Sequence, residues 1–420
     1  MDRARVGELG AERLDWRFKA LPAAAWGLTV REYLATGPTL DEFGTPLLTL
    51  DAGALDHNLR AMAAWCERAG VRLAPHGKTT MAPALWQAQL DAGAWGITLA
   101  NLPQLRVARA FGVQRVLLAN TLLDPAGLAW LAGELDTDPE FDCISWVDSV
   151  AAVKLIDQAL RAAGAERPME VLVELGGPGG RTGARDLATA LAVAAAVAEA
   201  PTLRLAGLGG YEGALAHDST PASLAAVEAY LARLVELHDR LRADGSLTGD
   251  TGEVIVTAGG SAYFDQVARV LAPLGRTGTS VVLRSGAYLV HDDGFYRAIS
   301  PLVRGAAGEP LRSAMHGWAR VVSRPEPALA LLDGGKRDFP YDEGLPTPQL
   351  TRSGRPVTGT VTAVNDQHAF LRESDAEVGE VVRLGLSHPC TAFDKWTLIP
   401  VLDDAEAAHP RVVNLVRTFF

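Results

Sequence analysis

Only five lysines occur in the 420 residues, and one of them, Lys78, lies in Pro75-His76-Gly77-Lys78-Thr79-Thr80, just past the apolar run Val71–Ala74. The Gly-Lys-Thr triplet invites a phosphate-loop reading, but that motif needs a glycine five residues before Gly77, and position 72 is arginine. A primary amine at a strand end can instead form a Schiff base with a carbonyl, provided that burial lowers its pKa. A second chemical element is Ala258-Gly259-Gly260-Ser261, where a β-branched run meets two glycines and a serine before a helical pattern. Backbone N–H groups in such a turn can cradle a phosphate. A third is the glycine-rich stretch from Glu174 to Gly183, which misses the G-x-G-x-x-G spacing because position 182 is threonine. It reads as a rim loop presenting Arg181. The fourth is Ser387-His388-Pro389-Cys390. A residue before proline is pushed toward extended geometry, and in an extended chain side chains two apart face the same way. Imidazole and thiolate suit zinc, and two protein ligands leave positions for water or substrate. His368 is a third ligand, an outer partner or a structural histidine. Each element also has a plain alternative: a solvated lysine, a tight turn, a surface ion pair, a buried cysteine.

The elements that must position these residues follow a βα period. Aliphatic runs at Val71–Ala74, Trp95–Leu99, Arg115–Ala119, Cys143–Val147, Met169–Glu174, Leu203–Leu208, Val254–Ala258 and Ser280–Arg284 alternate with Ala/Leu-rich helical stretches. Eight strands and seven intervening helices predict a (β/α)8 barrel, with a doubly wound sheet as the competing arrangement. Lys78 then follows the first barrel strand and Ser261 the seventh, both on the face where barrel active sites and phosphate sites gather. After Gly294 short strand-like runs separated by turns predict a mainly antiparallel β domain. Boundaries are expected at 1–44 for an irregular N-terminal extension with Trp16 and Trp26, 45–295 for the barrel and 296–420 for the β domain that carries the metal site.

Composition narrows the partners. With 48% hydrophobic and 21% charged residues the chain is globular. The net charge of −11 argues against nucleic acid. The longest apolar stretch is about a dozen residues, short of the ~18–20 that span a bilayer. The charged N-terminal residues do not read as a secretory signal, so a cytoplasmic location is expected. Three scattered cysteines predict no disulfide framework.

Taken in order, Pro75-His-Gly-Lys-Thr79, Arg181-Thr-Gly183, Gly210-Tyr-Glu-Gly213, the Gly-Gly-Ser turn and His388-Pro-Cys390 resemble the fold-type III pyridoxal phosphate enzymes. The D-serine dehydratase and D-threonine aldolase-like group is the nearest. The resemblance also takes in Thr45-Pro-Leu-Leu-Thr-Leu-Asp51 and Leu55-Asp-His-Asn-Leu59. It implies an alanine-racemase-type barrel plus a β domain, with strand 47–50 joining the latter. Lys78 would carry the cofactor as a Schiff base and act as Cα base. The phosphate would sit on Gly259, Gly260 and Ser261, Arg181 with Thr182 near the pyridine nitrogen, and Tyr211 beside the cofactor. A metal, zinc or another divalent ion, would sit on His388 and Cys390. The aldolases resemble this pattern with aspartate at position 390, so the cysteine implies the dehydratase branch. The long extension and the unusual Asn365-Asp-Gln-His-Ala369 imply a bacterial subgroup of D-amino-acid deaminases. The expected activity is metal-assisted conversion of D-serine, or a related β-hydroxy-D-amino acid, to a 2-oxo acid and ammonia by a homodimer. Retro-aldol cleavage of D-threonine and a non-catalytic cofactor carrier are the rivals.

Overall fold

The computed structural model describes residues 1–248 and 252–420. An opening strand, β1 (Leu47–Asp51), precedes eight parallel strands: β2 (Arg72–Leu73), β3 (Ile97–Leu99), β4 (Arg115–Leu118), β5 (Asp142–Val147), β6 (Met169–Leu175), β7 (Leu203–Gly210), β8 (Val254–Thr257) and β9 (Thr279–Leu283). Their order is β2-β9-β8-β7-β6-β5-β4-β3. The two ends meet where the Trp95 N–H donates to Leu73 O at 2.7 Å and the Thr98 N–H to Pro75 O at 2.9 Å. The sheet therefore curls into the expected barrel. Its interior is filled by Leu117, Ile144, Leu172, Ala206, Ile255 and Val282, one from each of six successive strands, packed with Ala74 and Trp146. These strands are buried on both faces, so they read as unbroken aliphatic runs.

Five of the intervening helices start at a side-chain cap. Asn101, Asp124, Ser149, Asp186 and Thr220 each accept an N–H three residues on, satisfying a donor that the first turn leaves free. The helix after β6 begins at Leu187. Ala184 is held back because its N–H goes to Glu174 O while its carbonyl accepts from Gly176 N–H, both at 2.9 Å. That pair closes the base of the glycine-rich rim loop.

A second sheet contains β10 (Met315–Glu326), β11 (Leu329–Leu332), β12 (Thr347–Thr351), β13 (Thr360–Val364), β14 (Ala369–Arg372), β15 (Val381–Gly385), β16 (Leu398–Leu402) and β17 (Val412–Arg417), with β1 inserted. β1 runs antiparallel to β10, pairing Leu47 with Trp318, and parallel to β16, pairing Leu50 with Val401. β12 contains Pro348 and among the described residues has β15 as its one partner strand; at a sheet edge a missing N–H costs nothing. β14 is four residues long.

Residues 1–44 pack through Leu14, Phe18, Tyr33, Leu40 and Phe43, all buried. The two tryptophans noted in this segment do not do that packing, being 75% exposed at Trp16 and 49% at Trp26. At the other end of the chain the Phe419 N–H donates to Met81 O at 2.8 Å, tying the C-terminus to the segment just after Lys78.

Candidate active site

The barrel strands end on a cavity of about 650 Å³ that Lys78, Arg181, Thr182, Tyr211, Gly260, Ser261, His388 and Cys390 all line. Lys78 sits in a 3-10 turn, Gly77–Thr79, pinned by Trp86 Nε1 donating to Gly77 O at 3.1 Å. A Cβ on Gly286 would come within 2.6 Å of His76 O and 2.8 Å of Thr79 Oγ1, so that glycine lets the loop after β9 close over the lysine turn. Burial lowers the Lys78 amine below the usual lysine value, Cys390 works the other way, and the charges of Arg181 and Arg284 lower it further. Its Nζ has no hydrogen bond or ion pair among the described residues. His76 is half-buried, and its buried Nδ1 has no partner among the described residues. Burial, with Lys78 and Arg284 nearby, holds that imidazole neutral.

The glycine turn departs from its expected use. The N–H groups of Gly259 and Gly260 donate to the two oxygens of Glu212, at 3.0 and 2.7 Å, so they are not open to a phosphate. Glu212 is fully buried and follows Tyr211 at the end of β7, which brings a carboxylate onto the turn. The free donors lie one step on. Among the described residues the N–H groups of Ser261 and Ala262 meet no acceptor, and both residues line the cavity.

Arg181 is exposed on the rim loop with its guanidinium 4.8 Å from the Tyr211 ring, not at the barrel floor. The loop is latched by Thr182 Oγ1 donating to Glu174 Oε1 at 2.8 Å and by Gly183 N–H donating to Asp148 at 3.0 Å. The arginine fixed at the floor is Arg284, at the end of β9. It donates to Thr257 Oγ1 at 2.8 Å and Gly210 O at 2.7 Å and lies 4.8 Å over Trp146. Glu174 is buried opposite it with Oε2 unpartnered, and burial pushes its carboxyl up to about 7. Both end apolar runs noted in the sequence. A charged residue closing an aliphatic strand at its C-terminal end was the signal that could have marked them.

His388 and Cys390 converge, but not through an extended chain. His388 has φ +53° and ψ 86°, and Cys390 lies in the helical turn Pro389–Phe393. A left-handed residue avoids the α-region clash with the following proline. The His388 N–H donates to buried Asp292 at 3.0 Å, which holds that conformation. The Cys390 thiol donates to Thr79 Oγ1 at 3.5 Å, one residue from Lys78. His388 Nδ1 pairs with Asp342 at 2.6 Å. Burial disfavours the imidazolium, but Cys390 and Asp342 outweigh it and raise His388 to about 9. Burial alone would raise the Cys390 thiol; the bond to His388, Thr79 and the Lys78 charge bring it below its usual value. His368 is exposed in the turn between β13 and β14 and does not line this cavity. Among the described residues no cluster of three or more metal-ligating side chains forms.

Comparison with known proteins agrees with a barrel followed by a second, mainly antiparallel sheet. Residues 50–283 match the alanine racemase N-terminal domain family, and residues 314–402 match a serine dehydratase domain family. A D-threonine aldolase of Arthrobacter sp. is 31% identical over 374 residues, covering 88% of this chain and 91% of its own. The chain belongs to the fold-type III pyridoxal phosphate family, in its D-serine dehydratase-like group. Other members similar to it include a D-threo-3-hydroxyaspartate dehydratase of Delftia sp., 28% identical over 348 residues, which are 80% of this chain and 86% of that one. The crystal structure of a D-threonine aldolase from Filomicrobium marinum, 28% identical, superposes with a TM-score of 0.75 over 91% of this chain and 97% of its own. Members of this group are enzymes acting on β-hydroxy-D-amino acids.

Proposed function

We propose that the chain is a pyridoxal phosphate- and metal-dependent dehydratase that converts D-serine, or a related β-hydroxy-D-amino acid, to a 2-oxo acid and ammonia. The observation that carries this is the meeting of two kinds of chemistry in one cavity. The unpartnered amine of Lys78 and the His388–Cys390 pair abut, with the Cys390 thiol 3.5 Å from the hydroxyl of the next residue, Thr79.

The residues present fit both groups. Lys78 is the attachment amine, and the open Ser261 and Ala262 N–H groups and the Ser261 hydroxyl are a phosphate cradle at a helix start. Tyr211 is the side wall. Arg284, locked on Trp146, is the fixed cation for the ring nitrogen, the role the sequence suggested for Arg181. A nitrogen and a sulfur donor suit zinc, and Asp342 on the far imidazole nitrogen orients the ring as carboxylates do at histidine metal sites. When bound, pyridoxal phosphate supplies an electron sink at Cα and the divalent metal a Lewis acid for the β-oxygen.

The chain's own residues do the rest. Arg181, without an acceptor among the described residues, pairs with the substrate α-carboxylate. Lys78 Nζ, lowered by burial, takes the Cα proton. The His388–Cys390 side faces the β-oxygen, a poor leaving group that needs help. The enamine released hydrolyses in water to the 2-oxo acid and ammonia. The reading takes the working unit as a cytoplasmic homodimer, on the family resemblance.

The 31% identity to an aldolase supports a second reading, retro-aldol cleavage by the same residues; Cys390, where the aldolases resemble this pattern with aspartate, favours dehydration. Products decide. D-serine with zinc should yield pyruvate and ammonia, and Cys390→Ala should lose metal and elimination while keeping the yellow chromophore that Lys78→Ala abolishes. Glycine and acetaldehyde from D-threonine, with no ammonia from D-serine, would establish the aldolase instead. A Cys390→Ala rate equal to the native one would refute the metal role.

A further inference from the structure

The cavity mouth is divided by charge. On the barrel side stands Arg181, whose guanidinium makes no ion pair or hydrogen bond among the described residues and lies 4.8 Å from the Tyr211 ring centre. On the side of the second sheet, the segment between β11 and β12 brings Glu343 to the cavity, with Asp342 beside it on His388. That segment is tied down at three points. Asp342 pairs with His388 Nδ1 at 2.6 Å and accepts from Thr391 Oγ1 at 2.7 Å, and Ser387 Oγ donates to the Glu343 carbonyl at 2.7 Å. Both oxygens of Asp342 are thereby engaged. The Glu343 carboxylate has no partner among the described residues and lines the same cavity as His388 and Cys390. Tyr296 lies close enough to both Cys390 and Glu343 to feel their charge. Its ring meets Phe295 edge-on at 5.1 Å, so the wall beside Glu343 is aromatic.

Resting on the dehydratase reading, we propose that Glu343 is a specificity-determining residue. It turns away substrates with a β-carboxylate, so the substrate class is β-hydroxy-D-amino acids whose other β-substituent is uncharged: hydrogen, alkyl or aryl. The reason is directional. With the α-carboxylate toward Arg181 and the β-oxygen toward His388 and Cys390, the remaining β-substituent is left among Phe295, Tyr296 and Glu343. A carboxylate there would lie against two rings and face a like charge. A methyl or aryl group would gain contact with the same rings. Arg284, the cavity's other arginine, is tied to Thr257 and Gly210 and is not free to compensate. The inference separates this chain from the 3-hydroxyaspartate dehydratase that it resembles overall.

The test reads binding without turnover. D-2-aminobutyrate and D-aspartate, both lacking the β-hydroxyl, are titrated into the cofactor-loaded protein and followed by the change in cofactor absorbance. The native protein should bind D-2-aminobutyrate at least about tenfold more tightly. Glu343→Gln should cut that ratio at least about threefold, Glu343→Arg should cut it further, and added salt should narrow it in the native protein only. Equal or tighter binding of D-aspartate by the native protein would overturn the proposal, as would a ratio unchanged in Glu343→Gln. If neither compound perturbs the absorbance, the dehydratase reading itself falls and takes this inference with it. The Gln variant keeps the side-chain shape, so it stays informative if the Arg variant does not fold.

Discussion

Glu174 shows how burial sets the charge of a single group. Its carboxyl is nearly inaccessible, one oxygen is unpartnered, and burial raises it from 4.5 to about 7 against the bond from Thr182. Asp148 raises it further, while Arg284 and Arg181 pull it down. A carboxyl raised in the folded state binds more protons there than in the unfolded chain between those two values. Its contribution is therefore full below 4.5 and is lost as pH rises to about 7. Glu174→Gln keeps an acceptor for Thr182 and never charges. Urea unfolding should find the variant level with the native protein near pH 4 and more stable by up to ~3 kcal/mol at pH 8. A difference that does not change with pH would contradict the neutral buried carboxyl. Legibility at this scale followed chemistry. Lys78, Ser261, His388 and Cys390 stood out because amine, turn and thiolate are uncommon at such places, and the structure brings them to one cavity. Asp342 and Glu343 gave no signal, since they lie in a turn-rich segment without periodicity. Glu212 stood inside a recognised motif, but its hold on the Gly259–Gly260 turn is a long-range contact that local spacing does not reveal.

At the scale of elements, the barrel was legible because strands buried on both faces and Ala/Leu-rich helices both leave strong local patterns. The departures arose where a distant hydrogen bond overrode the local preference: Ala184 captured by Glu174 O, and His388 held left-handed by Asp292. One helix residue acts as a brace between strands. Tyr230, on the helix Pro221–Ala243, donates to Leu175 O at 2.6 Å and accepts the Tyr211 N–H at 3.0 Å, joining the ends of β6 and β7. Gly210 lacks the Cβ that would collide with this hydroxyl. Tyr230→Phe leaves a buried donor and a buried acceptor unpaired, so it should cost about 2 kcal/mol in denaturant unfolding. It should also weaken cofactor binding, measured by absorbance titration, because Tyr211 loses its anchor. Native affinity in a destabilised variant would show that Tyr211 does not depend on this brace.

At the scale of the whole molecule, the decisive fact is that the chemistry is split between two sheets. Lys78 follows a barrel strand, whereas His388 and Cys390 follow β15 of the other sheet, and the two meet at the Thr79–Cys390 contact. The opening strand β1 lies in the second sheet between β10 and β16, and the chain passes from it into the barrel. A metal held by His388 and Cys390 would therefore sit beside this junction. A ligand that binds only the folded state stabilises it by about 2.7 kcal/mol at a free concentration of 100 times its Kd. Zinc added to the chelator-treated protein should accordingly raise the Tm, and the rise should vanish in Cys390→Ala. Asp342→Asn should keep the rise but move it to ~10–100-fold higher zinc, because losing the carboxylate behind a ligating imidazole weakens the site without removing a donor. An equal Tm rise in Cys390→Ala would place the metal elsewhere, and with it the Lewis acid on which dehydration depends.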